Sequence, residues 1–223
     1  MRWKFILGLL TTCAVLMSMS YTMLIPFLPM YLIPELGVVK ADVDMWSGAI
    51  FAITFLVSGI MAPIWGALAD KKSRKLMALR AGFCLAITYF LGGLVSNPWE
   101  LLGVRFIQGL SAGLWPALLA IISVESPKLK LGFCMGVMQG GMTAGGVLGP
   151  LFGGLLADQF GMRMAFFIAA ASLFLITLAL FFFVKEEPRK PDPNAKPVKI
   201  WDFSLCKIPA VKRMLICAGV VQL

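Results

Sequence analysis

The sequence predicts an all-α integral membrane protein: a bundle of six transmembrane helices built as two inverted three-helix repeats, followed by the start of a seventh helix. Three observations predict it. Of 223 residues, 60% are hydrophobic and 14% charged, with a mean hydropathy of +0.89, whereas a soluble domain carries about 25% charged residues. Six apolar stretches reach the roughly 20 residues that a spanning helix needs. A short motif also recurs at an offset of about three spans.

The stretches fall at residues 5–33, 45–69, 76–95, 99–122, 131–157 and 164–184, and the gaps between them hold almost every charge. The first is not a signal peptide: it is too long, contains Pro26 and Pro29, and shows no clear small-residue cleavage site. A Pro-rich charged segment, "KEEPRKPDPNAKPVK", reads as a linker. Trp201, Phe203 and Leu205 then mix with Lys207, Lys212 and Arg213, as suits an interfacial segment. The expected organisation is a six-helix bundle over 1–184, a cytoplasmic central loop over 185–213, and the truncated start of a seventh span over 214–223.

Lys and Arg set the expected orientation. With the N-terminus in the cytoplasm, 17 of the 20 basic residues fall on the cytoplasmic side, among them the 71–80 cluster that ends at Arg80. The outer loops hold only Lys40 and Arg163, and Arg105 lies within a span. That asymmetry is a positive-inside signal and implies a multi-pass protein of the cell membrane, with N-terminus and central loop cytoplasmic. It also explains the net charge of +9 without a nucleic-acid partner.

"GALAD" at 66–70 recurs as "GLLAD" at 154–158, 88 residues later, and Lys75 and Arg163 share that offset. Three spans is an odd number, so the copies face opposite sides of the membrane. Inverted repeats of this kind recur in transporters, with the binding site between them near the midplane.

Catalysis is not expected. There is no histidine, no nucleophile–base pair and no cluster with metal-ligand spacing, and no cofactor is implied. Cys13, Cys84, Cys134, Cys206 and Cys217 are scattered and read as packing residues.

Three motifs carry the functional reading. In "GALADKKSRK", Gly66 allows a close helix approach, and Asp70 sits among Lys71, Lys72, Arg74 and Lys75. Gly66, Asp70 and Arg74 suit a conformational latch, in which the carboxylate pairs with a base or a helix N-terminus. Lys71 and Lys72 suit topology anchors. In "RFIQGLSAG", Arg105 is a charge inside a span and therefore a functional candidate. Snorkelling to the outer surface is the competing reading, because the span ends about six residues away. Arg105, Gln108 and Ser111 or Ala112 share one helix face. In "GVMQGGMTAGGVLGPLFGG", eight of 19 residues are glycine. A span must stay helical in lipid, so Gly141, Gly145, Gly149 and Gly153 form a stripe that a neighbouring helix can approach closely. Pro150 removes one backbone hydrogen bond and should bend the helix. Tyr21, Gln139 and Met142 are candidate cavity residues, because they share spans with polar or small residues.

These motifs resemble the major facilitator superfamily. The first resembles its loop signature, with Ser73 in place of a glycine and Lys71 in place of an arginine. A serine there would be strained if the turn needs a positive φ. Arg105, Gln108 and Gly109 resemble the fourth-helix motif, which implies a role in proton or substrate coupling. Gly136, Gly145, Gly149, Pro150, Gly153 and Gly154 resemble the fifth-helix signature of drug–proton antiporters at every defined position. The resemblance covers the chain and implies the N-terminal half of a twelve-helix fold. It further implies proton-driven efflux of amphipathic small molecules by alternating access against a second six-helix half. Nutrient import is the alternative within the superfamily, and a truncated or half-size membrane protein with no transport activity unless paired with another half is the other. No carboxylate lies within a span, since all 11 acidic residues sit in loops or at span ends. Proton coupling in this half would fall to Asp70, Arg105, Asp42 or Asp44.

Overall fold

The computed structural model describes residues 2–71 and 73–184, with the side chains of 2, 70 and 71 excepted. Eight α-helices make up six spans: α1 (Arg2–Thr22), α2 (Leu28–Leu32), α3 (Val43–Lys71), α4 (Arg74–Leu94), α5 (Pro98–Leu110), α6 (Leu114–Glu125), α7 (Leu131–Phe160) and α8 (Met162–Phe183). All six spans are long and apolar enough to cross a membrane. The expected central loop and seventh helix lie outside the described residues.

Two of the expected stretches are interrupted. The first, expected as one run over 5–33, ends as α1 at Thr22 and resumes as the short α2. Pro26 lies in the gap, and Pro29 occupies the first turn of α2, where its missing N–H is tolerated. The fourth, expected as one helix over 99–122, breaks between Leu110 and Leu114, with Gly113 at φ +118°. That backbone region favours glycine. By contrast, α3 runs unbroken through Pro63 and α7 through Pro150.

Local chemistry explains the helix starts. Asn97 accepts from the Glu100 amide at 2.9 Å, and Glu100 accepts from the Ser96 amide at 2.8 Å. With Pro98 in the first turn, this reciprocal cap fixes the start of α5. Ser73 caps α4, its Oγ accepting from the Leu76 amide at 3.2 Å. Its φ is −62°. The turn therefore needs no positive φ, and serine serves there as an N-cap.

The closest helix pairs are α1 with α7, α4 with α8, and α3 with α5. Exchanging the two triplets converts α1·α7 into α5·α3 and returns α4·α8 to itself, as the inverted repeat demands. Val57 and Gly145, 88 residues apart, both lie in these interfaces: Val57 meets Gly109, and Gly145 meets Val15.

A buried cluster ties together the end of the bundle at which α1 finishes. Tyr31 Oη donates to the Gly92 carbonyl at 2.9 Å, and Tyr89 Oη to the Ser20 carbonyl at 2.9 Å. Phe166 packs against both rings. Arg163 and Glu35, in the expected outer loops, form an exposed ion pair at 2.7 Å.

Candidate functional site

The bundle forms a partly open cavity of about 330 Å³ walled by five of the six spans. α1 contributes Met17, Ser18 and Tyr21; α3 contributes Thr54, Phe55 and Ser58; α4 contributes Ala81, Leu85 and Tyr89. The break in the fourth span lines it from Gln108 to Pro116, and α7 adds Met142. None of the lining residues is charged.

The break follows from sequence. Pro116 has no N–H, so the carbonyl of Ala112, four residues earlier, loses its helical donor. The turn at Gly113 likewise interrupts the ladder at Leu110. An unpaired carbonyl inside a membrane bundle costs several kcal/mol, roughly 2–7 depending on the reference state. Two side chains from neighbouring spans meet these groups. Arg80 Nη2 donates to the Ala112 carbonyl at 2.9 Å, and Trp65 Nε1 to the Leu110 carbonyl at 2.8 Å. The Arg80 guanidinium stacks 3.3 Å from the Trp65 ring centroid, a favourable cation–π arrangement. Arg80 is therefore no topology anchor: it turns into the bundle. Sequence reasoning grouped it with the basic loop; the signal that could have found it is Pro116, four residues after Ala112.

Arg105 also turns inward, with 3% of its surface exposed. It does not snorkel to the outer surface. Its Nη1 donates to Gln108 Oε1 at 2.9 Å, one helical turn on. Arg105 forms no ion pair among the described residues, and its Nη2 has no hydrogen-bond partner. The Tyr89 hydroxyl lies beside both Arg105 and Gln108. Thr54 of α3 reaches across toward the Arg105 carbonyl, 3.4 Å away. Gly109 makes this approach possible: a Cβ there would stand 2.8 Å from the Thr54 carbonyl oxygen and from Val57 Cβ.

The α7 glycines divide into two groups. A Cβ on Gly145 would overlap the Val15 carbonyl. One on Gly149 would overlap Thr22 Oγ1 and lie 2.8 Å from the Met19 carbonyl. One on Gly153 would lie 2.6 Å from the Met23 carbonyl. These three, with Gly141 against Thr11, bring α7 onto the α1 backbone. A Cβ on Gly154 would lie 3.1 Å from the Phe27 ring. Gly136 meets nothing within 4 Å.

Of the three expected cavity residues, Tyr21 and Met142 line the cavity. Gln139 does not: it is exposed. It sits one turn before Met142 and about 60° farther around α7 from buried Met138 than Met142 does, at 100° per residue, which leaves it exposed. Of the expected latch, Gly66 is exposed with nothing within 4 Å, and the Asp70 side chain lies outside the described residues. Met17, Phe55 and Trp115 also lie in the cavity wall. Trp46 and Trp99 pack edge to face at 4.8 Å.

The family model for the Major Facilitator Superfamily matches residues 10–219. Over 186 residues the chain is 42% identical to "Multidrug resistance protein MdtG" of Salmonella paratyphi A (strain ATCC 9150 / SARB42), covering 83% of this chain and 46% of that protein. Identity and coverage are the same for the protein of that name from Salmonella arizonae (strain ATCC BAA-731 / CDC346-86 / RSK2980). The chain thus spans about half the length of the curated relatives it matches. Among solved structures it is similar to a bacterial homolog of the human lysosomal transporter Spinster, inward-facing and unoccupied. There the TM-score is 0.72 at 23% identity, covering 92% of this chain and 48% of that one. The POT family transporter PepTSo gives a TM-score of 0.71 at 14% identity, covering 84% of this chain and 40% of that one. At such identities the likeness is one of fold.

Proposed function

The chain belongs to the major facilitator superfamily, and from that premise we propose that its six helices form one half of an efflux transporter, exporting amphipathic small molecules by proton-driven alternating access. The observation that carries the reading is the cavity: mostly apolar, walled by five spans, and bordered by Arg105, Gln108 and the broken fourth span. An apolar wall with a few convergent polar groups is what an amphipathic ligand requires. The name carried by the similar proteins, multidrug resistance, favours export over nutrient import. So does the glycine series of α7.

A second six-helix bundle is the proposed partner within the membrane. Six glycines on α3 and α7 support it: Gly48, Gly59, Gly66, Gly132, Gly136 and Gly140 have nothing within 4 Å. Glycines on a span face suit close approach by another helix. The proposed orientation puts the N-terminus and the α3–α4 turn in the cytoplasm, where Gly66, Asp70 and Arg74 would latch one state.

The test is accumulation of a lipophilic fluorescent dye in cells expressing the full gene. Expression is expected to lower accumulation, and a protonophore to abolish the difference. Residues 1–223 expressed alone are expected to export nothing, since alternating access needs a second bundle to rock against. Protonophore-insensitive efflux would remove proton drive from the proposal, and dye uptake instead of loss would reverse its direction.

A further inference from the structure

The basic side chains at the end of the bundle where α1 begins differ in what answers them. Lys75 donates to the Phe181 carbonyl at 2.6 Å, so the C-terminal turn of α8 engages its ammonium. Lys4, Lys128 and Lys130 are exposed and form neither an ion pair nor a hydrogen bond among the described residues. They come from two distant parts of the chain. Lys4 lies in the first turn of α1, and Lys128 and Lys130 are the two ends of a single 3₁₀ turn that leads into α7. One indole joins them. Lys4 Nζ lies 5.8 Å from the Trp3 ring centroid, and Lys130 Nζ lies 5.4 Å from the same ring. Trp3 is half-buried against the core, so its ring fixes where the two ammoniums gather.

No carboxylate among the described residues answers this field. Glu125, the acid three residues before Lys128, forms no ion pair. The other end of the bundle differs: Arg163 is paired with Glu35, and Lys40 shares its turn with Asp42. Bare apolar side chains adjoin the lysines. Leu129, between Lys128 and Lys130, is 100% exposed, and Phe5 and Phe133 are exposed as well. Phe5 follows Lys4, and Phe133 lies in the first turn of α7. A membrane boundary calls for this combination. Tryptophan suits the headgroup level, lysine stems carry their charge outward to it, and the leucine and phenylalanines suit the acyl chains.

We propose that Trp3, Lys4, Lys128 and Lys130 form a binding site for an anionic phospholipid. Its phosphate lies between Lys4 and Lys130, and its acyl chains run along Phe5, Leu129 and Phe133. The phosphate brings the missing negative charge, with acceptor-only oxygens for charge-assisted hydrogen bonds. A zwitterionic lipid brings the same phosphate together with a cation that cancels it. The bound lipid joins the start of α1, in the first repeat, to the turn that opens α7, in the second. The site shares no residue with the cavity, so it does not depend on the efflux reading.

The test uses the full-length protein in phosphatidylcholine nanodiscs that contain a small fraction of one lipid with brominated acyl chains. Bromine quenches a nearby indole, and the Trp3 share is the quenching that Trp3→Phe removes. Both leaflets of a nanodisc have the same composition, so the result does not depend on which way the protein faces. Brominated phosphatidylglycerol is expected to quench the Trp3 share at a mole fraction at least about fivefold lower than brominated phosphatidylcholine, roughly the factor one lysine contributes at an anionic surface. Combining Lys4→Gln, Lys128→Gln and Lys130→Gln should bring the two lipids within about twofold. Lys4→Arg with Lys130→Arg should keep the preference, and Lys71→Gln with Lys72→Gln should leave it unchanged. Equal quenching by the two lipids in the protein with all three lysines overturns the proposal; Glu186 and Glu187, outside the described residues, would then be candidates for answering them. A preference that survives neutralisation also overturns it, because the anionic lipid would be held elsewhere. Displacement of the brominated lipid by soluble sn-glycerol 3-phosphate overturns the lipid as occupant in favour of a free anion. Lipid preference without export sinks the efflux reading alone, and export without lipid preference sinks this proposal alone.

Discussion

The α1·α7 and α3·α5 interfaces are related by the inverted repeat, yet they are built differently. In the first, four glycines of α7, at 141, 145, 149 and 153, lie against the α1 backbone. In the second, a single glycine, Gly109, admits α3, and a polar bridge from Thr54 to the Arg105 carbonyl spans the contact. Val57 and Gly145 occupy matching repeat positions, so the small residue has moved from one side of the interface to the other. The repeat preserves the close approach and not the residue that permits it. Freed from backbone contact along its length, the α3·α5 side has room for the buried Arg105–Gln108 pair. The α1·α7 side is a smooth seam with little directional bonding.

The comparison is broken most sharply at Gly149. A Cβ there meets the Met19 carbonyl oxygen at 2.8 Å and the Met23 amide nitrogen at 3.0 Å, and neither backbone atom can rotate away. Gly149→Leu is expected to abolish dye efflux while the protein still inserts, as read by membrane fractionation and by cell accumulation. Overpacking of this kind typically costs about 1–3 kcal/mol, more where backbone is met. Normal transport by this variant would mean that the seam is not closed during the cycle.

Gly109→Ala should have a smaller but clear effect. One new methyl would contact the Thr54 carbonyl oxygen and Val57 Cβ, both at 2.8 Å. A lowered melting temperature in detergent is expected, with an overpacking loss of about 1–3 kcal/mol. Val57→Ala added to Gly109→Ala should recover only part of it, because the Thr54 backbone remains. Full recovery would show that the side chain alone sets the approach and would erase the distinction from Gly149.

Six spans were legible because hydropathy over about 20 residues is a strong signal and charges mark the gaps. The glycine stripe of α7 was legible because a four-residue spacing fixes one face of a helix. The break at Gly113 was not, because Leu114 to Ile122 continues the apolar run and hydropathy is blind to backbone geometry. Arg80 was hidden for a related reason: as the last residue of a basic cluster it reads as loop. Only the carbonyl vacated by Pro116 explains its inward turn. Gln139 was misplaced because a residue one turn and about 60° around α7 from Met142 already falls on the exposed side. Arg105 stood open between snorkelling and burial, and its bond to Gln108 within the bundle resolved it.

The smallest expected effect sharpens the comparison within α7 itself. Gly136 belongs to the same glycine signature as Gly145, yet a Cβ on it meets nothing within 4 Å, whereas one on Gly145 lies 3.0 Å from Val15 Cα. If the signature acts through α1 alone, Gly136 has no reason to be glycine. Gly136→Ala should therefore leave the detergent melting temperature unchanged or raise it slightly, by the helix-propensity gain of about 0.5–1 kcal/mol. Gly145→Ala should lower it by contact with a backbone that cannot yield. Equal melting temperatures for the two variants would contradict the assignment of Gly145 to the seam. Reduced dye efflux by Gly136→Ala at unchanged stability would instead locate its contact outside these six helices, on the α7 face that the proposed second bundle would cover.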